Sequence, residues 1–384
     1  MTSEPLLLHV FPTFRVGGSQ VRFAAIANHF GRKYRHAVLA LNGAYDCLER
    51  LDPGLDVQRW DVTAPKRSTL RNLRAFRRIL RARKPDLLVT YNWGAIEWAL
   101  ANRPRLVPHI HIEDGFGPEE AERQLLRRVL TRRLALARST VVLPSRTLYR
   151  LALDCWRLPA ARVRHIPNGI DLARFSGRIA AIPLPPGPGP VIGTVAVLRA
   201  EKNIGRLLRA FADVREKVEC RLVIAGDGPA RAQLEALARQ LLPEGSYVFT
   251  GRIDAVERVY VGLDIFALSS DTEQMPTSLM EGMAAGLPAV STSVGDVPDM
   301  IAPENRPFVV SRDDESFAGA LFRLVTNEAT RSSVGLANRI IAQARFDATT
   351  MFSDYDSLFL SLIDLNSAGA RTVPEPRVLS DFGS

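Results

Sequence analysis

The chain has 384 residues, of which 46% are apolar and 24% are charged. This ordinary globular composition excludes a disordered chain, a collagen-like fibre and a small disulfide scaffold, and the length favours two domains. The three cysteines lie far apart without Cys-x-x-Cys spacing. Neither a disulfide framework nor a structural zinc site is therefore expected, and a reducing compartment fits.

The positive charge lies in the first half of the chain. Residues 1–175 hold 30 lysines and arginines against 15 acidic residues, whereas residues 176–384 hold 20 against 26. The excess is densest at 71–84 and 123–138. A basic half favours an anionic partner such as membrane lipid, nucleic acid or a phosphorylated substrate, and the alternative is a solvated helix face.

The first half alternates predicted strands and helices. The opening apolar run is short, lacks basic residues and contains Pro12, so it predicts a strand and not a signal peptide. With no apolar run of about 18 residues, a cytoplasmic protein is expected, with the inner face of the membrane as a possible site. Strands are predicted at 6–11, 36–41, 55–60, 86–91, 105–112 and 140–145, and helices at 20–30, 69–83, 94–102 and 118–138.

A second strand–helix series follows a break at 176–190, where five prolines and three glycines predict a linker. Strands are predicted at 191–198, 221–226, 247–251, 264–270, 288–292 and 307–311, with helices near 204–217, 229–241 and from 277, and a mostly helical 313–365. This pattern predicts an α/β protein with parallel sheets. The expected domains are 1–175 and 191–345, with about 346–384 forming a C-terminal helix and tail.

Polar residues cluster where these strands end, which is where ligands bind in such sheets. After strand 264–270, Glu273 precedes a helix opened by Pro276, and the helix N-terminus suits a phosphate. The candidate ligand contacts there are Met275, Pro276, Thr277, Ser278 and Glu281. Glu281, one turn inside the helix, suits adjacent sugar hydroxyls. The alternative is a helix with one exposed acid and one capping acid.

Other strand ends carry weaker signals. Arg199 and Lys202 follow strand 191–198 and suit a diphosphate, although they are also consistent with a surface cluster around Glu201. Gly17 and Gly18 allow close approach of a ligand to the backbone, or form a plain turn. Gly228, in a sharp strand-to-helix turn, is expected to shape the wall of the site.

The run at 109–120, HIHIEDGFGPEE, ends a strand with two histidines, Glu113 and Asp114 and then enters a glycine-rich loop. His109 and His111 face the same side of the strand, and no third metal ligand is evident. The run is interpreted as an active-site loop, with satisfied structural polar residues or a metal site as the alternatives.

Taken together, these segments resemble family 4 glycosyltransferases with the GT-B fold, over roughly residues 5–345. The resemblance rests on GGSQ (17–20), IPNGID (166–171), RAEKN (199–203), AGDGP (225–229), and Glu273 and Glu281 with seven residues between them. It implies two Rossmann-like doubly wound domains facing across a cleft, with the C-terminal helix crossing back to the N-terminal domain.

The resemblance also implies a retaining transfer from a nucleotide-diphosphate sugar, with neither metal nor cofactor. By analogy, Arg199 and Lys202 hold the diphosphate, helped by backbone amides near Thr277 and Ser278. Glu281 binds the ribose hydroxyls and Glu273 the donor sugar. Gly17 and Gly18 face the phosphate and acceptor from the N-terminal domain.

One departure concerns the acceptor side. Members of the family often carry a histidine in a run that resembles Glu-His-Gly. In this chain the run is Glu113-Asp114-Gly115, so Asp114 takes the place of that histidine. Either Asp114 and Glu113 serve the acceptor, or His111 does. The arginine-rich half fits peripheral contact with an anionic membrane and a lipid-linked saccharide acceptor, and a soluble phosphorylated acceptor is the alternative.

Two other kinds of function share this scaffold. One is a nucleotide-sugar epimerase or a phosphorylase, and the other is a non-catalytic basic protein that binds membranes or polyanions. Retention of both donor-site carboxylates together with Arg199 and Lys202 favours the transferase, and no nucleic-acid partner is expected.

Overall fold

The computed structural model describes residues 4–62, 68–116, 120, 123–175 and 181–367. The chain divides into two compact units, one formed by the residues up to Ile166 and from Phe352 onward, the other by Pro167–Met351. The segment expected to be a linker falls in the second unit, where Ile182 is buried and its amide donates to the carbonyl of Arg258. The proline content of this segment predicts that it forms no regular helix or strand. It does not prevent prolines and apolar residues from packing against a unit. Residues 176–180 lie outside the described part of the chain.

The first unit is built on a seven-stranded parallel sheet of order β3-β2-β1-β4-β5-β6-β7. Its strands are β1 (Leu6–Phe11), β2 (Arg35–Ala40), β3 (Val57–Arg59), β4 (Leu87–Tyr91), β5 (His109–Ile112), β6 (Thr140–Leu143) and β7 (Val163–His165). The central strands β1 and β4 are apolar along most of their length because both faces of a parallel sheet are covered, whereas in the neighbouring β5 two buried histidines alternate with two isoleucines.

Helices cover this sheet: α1 (Gly18–Phe30), α2 (Thr69–Arg83), α3 (Ile96–Ala101), α4 (Leu126–Leu136) and α5 (Arg146–Asp154). The C-terminal helix α13 (Ala348–Ser367) also contributes to this unit. The ring of Phe352 stacks on His29 with centroids 4.1 Å apart. Asp356 accepts a hydrogen bond from the Tyr34 hydroxyl at 2.7 Å. The predicted return of the C-terminal helix to the N-terminal residues is thus present.

The second unit has a six-stranded parallel sheet of order β10-β9-β8-β11-β12-β13. Its strands are β8 (Val191–Val195), β9 (Arg221–Ala225), β10 (Tyr247–Gly251), β11 (Ile265–Leu268), β12 (Ala289–Thr292) and β13 (Val309–Val310). Its helices are α6 (Ile204–Arg215), α7 (Arg231–Leu241), α8 (Glu257–Tyr260), α9 (Thr277–Ala284), α10 (Val297–Met300), α11 (Asp314–Thr326) and α12 (Glu328–Arg345). Both units are doubly wound, as predicted.

No helix in the described ranges combines the length and the apolar character needed to cross a membrane.

Candidate active site

In the second unit, the loops that follow β8 and β11 bring Lys202 and Glu273 into contact. The Lys202 ammonium lies 2.5 Å from Oε1 of Glu273, although 71 residues separate them in sequence. The Ser270 hydroxyl donates to the same carboxylate oxygen at 2.7 Å. Both partners of the ion pair are mostly buried. Two residues predicted from separate motifs therefore form one charged cluster at the carboxyl end of the sheet.

A buried arginine that the sequence analysis did not single out holds these loops together. Arg206, on α6, is 5% exposed and donates to the carbonyls of Ser269 at 2.7 Å and Arg312 at 2.8 Å. It also pairs with Asp271 at 2.9 Å. The amide of Asp271 in turn donates to the carbonyl of Glu201, next to Lys202. Arg206 thus positions the segments that carry both members of the Lys202–Glu273 pair.

Asn203 is the residue whose position in the sequence could have indicated this contact between Arg206 and Asp271. It precedes a helical pattern, as an N-cap residue does, and its side chain accepts from the amide of Arg206. Its amide group also donates to Asp271 at 3.0 Å. The cap therefore orients Arg206 and Asp271 toward each other.

Arg199 and Gly228 occupy different roles within the same corner. The Arg199 side chain is 59% exposed and lies 3.9 Å from Glu201, so it is available to an incoming anion. Gly228 packs against the backbone of Leu198, the residue before Arg199. A Cβ on this glycine would lie 2.5 Å from the carbonyl oxygen of Leu198. Gly228 therefore permits close packing of the turn under the loop that carries Arg199.

The helix α9 begins beside this cluster. Pro276 is its N-cap residue, and the amides of Thr277 and Ser278 precede the first carbonyls available within the helix. The approach to the helix is tightly held. Gly295, at φ +52°, leaves no room for a Cβ against the carbonyls of Glu273 and Gln274, and buried Met275 accepts a hydrogen bond on its sulfur.

Glu281 lies deeper on α9 and is bound to a buried tyrosine. The Tyr260 hydroxyl contacts Oε2 of Glu281 at 2.8 Å and the carbonyl of Ser278 at 3.0 Å. Burial raises the pKa of Glu281 to about 7, with the Tyr260 hydrogen bond and the nearby charge of Arg174 opposing the rise. Arg174 is itself paired with Glu257. Tyr260 was not predicted, since no local motif marks it.

Replacing Glu281 with glutamine is expected to stabilise the ligand-free protein at pH 8 by on the order of 1–3 kcal/mol. Because the pKa of Glu281 is raised from 4.5 to about 7 on folding, ionising it disfavours the folded state. Its contribution to stability therefore falls as the pH rises through this interval. Denaturation of both proteins at pH 4 and pH 8 tests this expectation, and an equal difference at the two values would contradict it.

In the first unit, Asp114 follows β5 and forms a two-pronged ion pair with Arg22. The two guanidinium nitrogens lie 2.5 and 2.9 Å from the two carboxylate oxygens. Burial alone would lower the pKa of Arg22, but the charge of Asp114, its hydrogen bonds and the nearby Tyr355 together outweigh burial and raise that pKa. Arg22 lies on α1, whose N-terminal end is formed by Gly17 and Gly18. A Cβ at Gly18 would meet no neighbouring atom within 4 Å, so this position has open space.

The other acceptor-side candidates lie inside the unit. The side chains of His111 and Glu113 are fully buried, whereas that of Asp114 is 20% exposed. His111 contacts the Thr90 hydroxyl at 2.8 Å, and Glu113 lies 3.5 Å from the Arg132 guanidinium. The structure therefore places Asp114, of these three, at the surface of the unit.

A second buried polar group lies below α1. His9 contacts the Tyr91 hydroxyl at 3.0 Å and His36 at 3.1 Å. Burial lowers the pKa of both histidines, that of His36 to about 4, so both are neutral at physiological pH. In the sequence, this pair is visible as one histidine inside each of two mostly apolar strands. The role of both histidines here is structural.

Among the described residues, no group of three or more His, Cys, Asp or Glu side chains is placed to hold a metal ion. The chain contains one Asp-x-Asp sequence, a pattern that sometimes binds the metal ion of a nucleotide sugar, at Asp354–Asp356. It lies in α13, where Asp356 contacts Tyr34 and Lys33.

Comparison with solved structures defines the class of fold. The structure of Alr3699/HepE from Anabaena, determined with UDP and glucose, superposes with a TM-score of 0.76 at 17% identity. The match covers 93% of this chain and 100% of that one. The chain therefore has the GT-B fold of glycosyltransferases, as predicted.

Two family models then match successive parts of the sequence. Glycosyltransferase Family 4 matches residues 16–174, and Glycosyl transferases group 1 matches residues 177–345. The chain belongs to the family 4 glycosyltransferases, a class of enzymes.

Curated relatives agree with this assignment. N-acetyl-alpha-D-glucosaminyl L-malate synthase from Bacillus anthracis is 25% identical over 170 residues, 44% of this chain and 45% of the relative. The putative glycosyltransferase EpsF from Bacillus subtilis is 30% identical over 213 residues, 51% of this chain and 53% of the relative. The aligned part thus spans about half the length of each.

Proposed function

We propose that this protein moves a sugar from a nucleotide-diphosphate sugar to a hydroxyl group of its acceptor, with retention of configuration and without a metal ion. The observation that carries the proposal is the contact between Lys202 and Glu273 beside the N-terminus of α9. As the nucleoside diphosphate departs, negative charge grows on its β-phosphate. A fixed ammonium and helix N-terminal amides stabilise that charge without reorganising, and Arg199 adds a second cation.

Within this proposal the two carboxylates have different tasks. Glu281 accepts from the ribose hydroxyls, oriented by its hydrogen bond with Tyr260. Glu273 binds the donor sugar. One oxygen of Glu273 already accepts from Lys202 and Ser270, which makes it a poor nucleophile toward the anomeric carbon. We therefore favour attack by the acceptor on the face that the leaving phosphate occupies, without a covalent intermediate on Glu273.

The acceptor is a lipid-linked saccharide at the cytoplasmic face of a membrane. In support, Arg71, Arg74, Arg78 and Arg81 are all exposed and recur at the spacing of one face of α2. Arg77 differs, because it donates to the carbonyls of Ala101 and Arg103. On the acceptor side we assign Asp114, since His111 and Glu113 are buried.

The proposal is tested with UDP-, GDP- and ADP-sugars, each with and without EDTA, by thermal shift. A ligand at about 100 times its dissociation constant stabilises by about 2.7 kcal/mol, which raises the melting temperature measurably. One nucleotide class is expected to act, equally in EDTA. The configuration of the sugar released from that donor is then read by NMR.

Each other outcome has a defined meaning. No stabilisation by any donor contradicts the transferase and favours a non-catalytic scaffold. An epimerised or phosphorolysed sugar favours the other enzyme classes. Loss of the donor-induced thermal shift in EDTA overturns metal independence. An inverted product overturns retention, and a sugar trapped covalently on Glu273 overturns the same-face attack.

A further inference from the structure

The helix α4 exposes three leucines along one line. Leu126, Leu130 and Leu134 are 72%, 58% and 62% exposed. At about 100° per residue they fall within an arc of about 80° on the helix surface. Isolated exposed leucines are common, but an ordered row on one helix face marks an interaction surface. We call the three residues the leucine row.

Arginines border the leucine row. Arg127 and Arg133 are exposed and lie on its two sides, and the exposed Arg123 precedes the helix in the sequence. Between residues 123 and 138 the sequence contains no aspartate or glutamate. Within α4, this face is therefore apolar along its middle and has an arginine at each edge.

The opposite side of α4 prevents the helix from rotating to bury the leucines. Arg132 is fully buried and contacts Glu120 at 3.0 Å. Its guanidinium carbon lies 4.9 Å from the ring centroids of Trp93 and Trp156 and 5.1 Å from that of Phe116. The orientation of the helix is thus determined by a buried ion pair, and the leucine row faces outward as a consequence.

We infer that α4 docks on an anionic lipid bilayer, with the leucine row inserted among the acyl chains and its arginines at the lipid phosphates. The cationic border selects this occupant over a second copy of the chain, since a two-fold contact would bring like-charged borders together. Arg132 also lies 3.5 Å from Glu113, the neighbour of Asp114. Docking through α4 therefore brings the acceptor-side loop near the membrane. The inference rests on the proposed lipid-linked acceptor.

The test is flotation of the full chain with vesicles of phosphatidylcholine alone or with 30% phosphatidylglycerol. The variant Leu126→Gln/Leu130→Gln/Leu134→Gln is expected to bind the anionic vesicles at least tenfold more weakly than wild type. The matched control is Leu336→Gln/Ile340→Gln, which changes two exposed apolar residues spaced alike on α12 and is expected to bind as wild type does. The variant Arg74→Gln/Arg78→Gln/Arg81→Gln measures separately how much the arginines of α2 contribute to vesicle binding. That contribution is electrostatic, so it is expected to weaken as salt is added.

Insertion is read directly with an environment-sensitive dye at Leu130→Cys, in a background with Cys155→Ser. A blue shift with anionic vesicles, absent for the dye at Leu336→Cys, supports the inference. Wild-type vesicle binding by the leucine-row variant overturns it, as does absence of binding by wild type. Self-association of wild type that the variant abolishes overturns it in favour of a second copy. Donor-induced thermal stabilisation is measured in every variant, so that failure of the proposed function is recognised independently.

Discussion

Replacing Lys202 with alanine is expected to lower kcat by about 10²–10³-fold, the usual effect of removing one preorganised charge-stabilising donor. The ammonium is held by Glu273 and lies where the leaving diphosphate is proposed to develop charge. Donor binding is expected to weaken less than turnover, because the charge is greatest in the transition state. Initial rates against donor concentration separate the two effects.

Lys217→Ala provides the matched control, since Lys217 is an exposed lysine of the same unit. It is expected to leave both kcat and KM unchanged. Lys202→Arg keeps the charge but changes its geometry and is expected to recover part of the rate. Turnover by Lys202→Ala at the wild-type rate would remove Lys202 from the mechanism.

Replacing Arg132 with methionine is expected to destabilise the first unit by about 3–5 kcal/mol, the cost of breaking a buried ion pair. Burial alone would raise the pKa of Glu120, but hydrogen bonds from Arg132 and Arg128, together with the charge of Arg132 and a backbone hydrogen bond, hold that pKa below its ordinary value. Without Arg132, both Glu120 and Glu113 lose a buried cation. Denaturant unfolding, followed by the fluorescence of the four tryptophans, all of which lie in the first unit, measures the loss.

The neighbouring residue offers a control of the same chemistry. Arg133→Met removes an exposed arginine from the same helix and is expected to change the stability by less than about 0.5 kcal/mol. Adding Glu113→Gln to Arg132→Met is expected to recover part of the loss, because it removes one unpaired carboxylate. An Arg132→Met protein as stable as Arg133→Met would show that the buried cluster contributes nothing.

Local patterns predicted many of the elements well. The amphipathic spacing and Pro85 predicted α2 with its observed ends, Thr69 and Arg83. Where the sequence analysis was inaccurate, a side chain decided otherwise. The predicted strand at 105–112 begins only at His109, because the Asn102 side chain accepts from the amides of Leu106 and Val107 and holds them in a loop. A contact of this kind has no periodic signature.

By itself, the sequence determined the two strand–helix series, the basic first half and the motifs that place acids and cations after particular strands. These features are local, since periodicity, caps and short motifs are set by neighbouring residues. The tertiary structure decided which of those residues meet: Lys202 with Glu273, Asp114 with Arg22, and Glu281 with Tyr260. It also decided that Arg132 is buried while Leu130, two residues earlier, is exposed. Such pairings depend on strand order and on the desolvation of charges in the packed core, which join residues far apart in the chain.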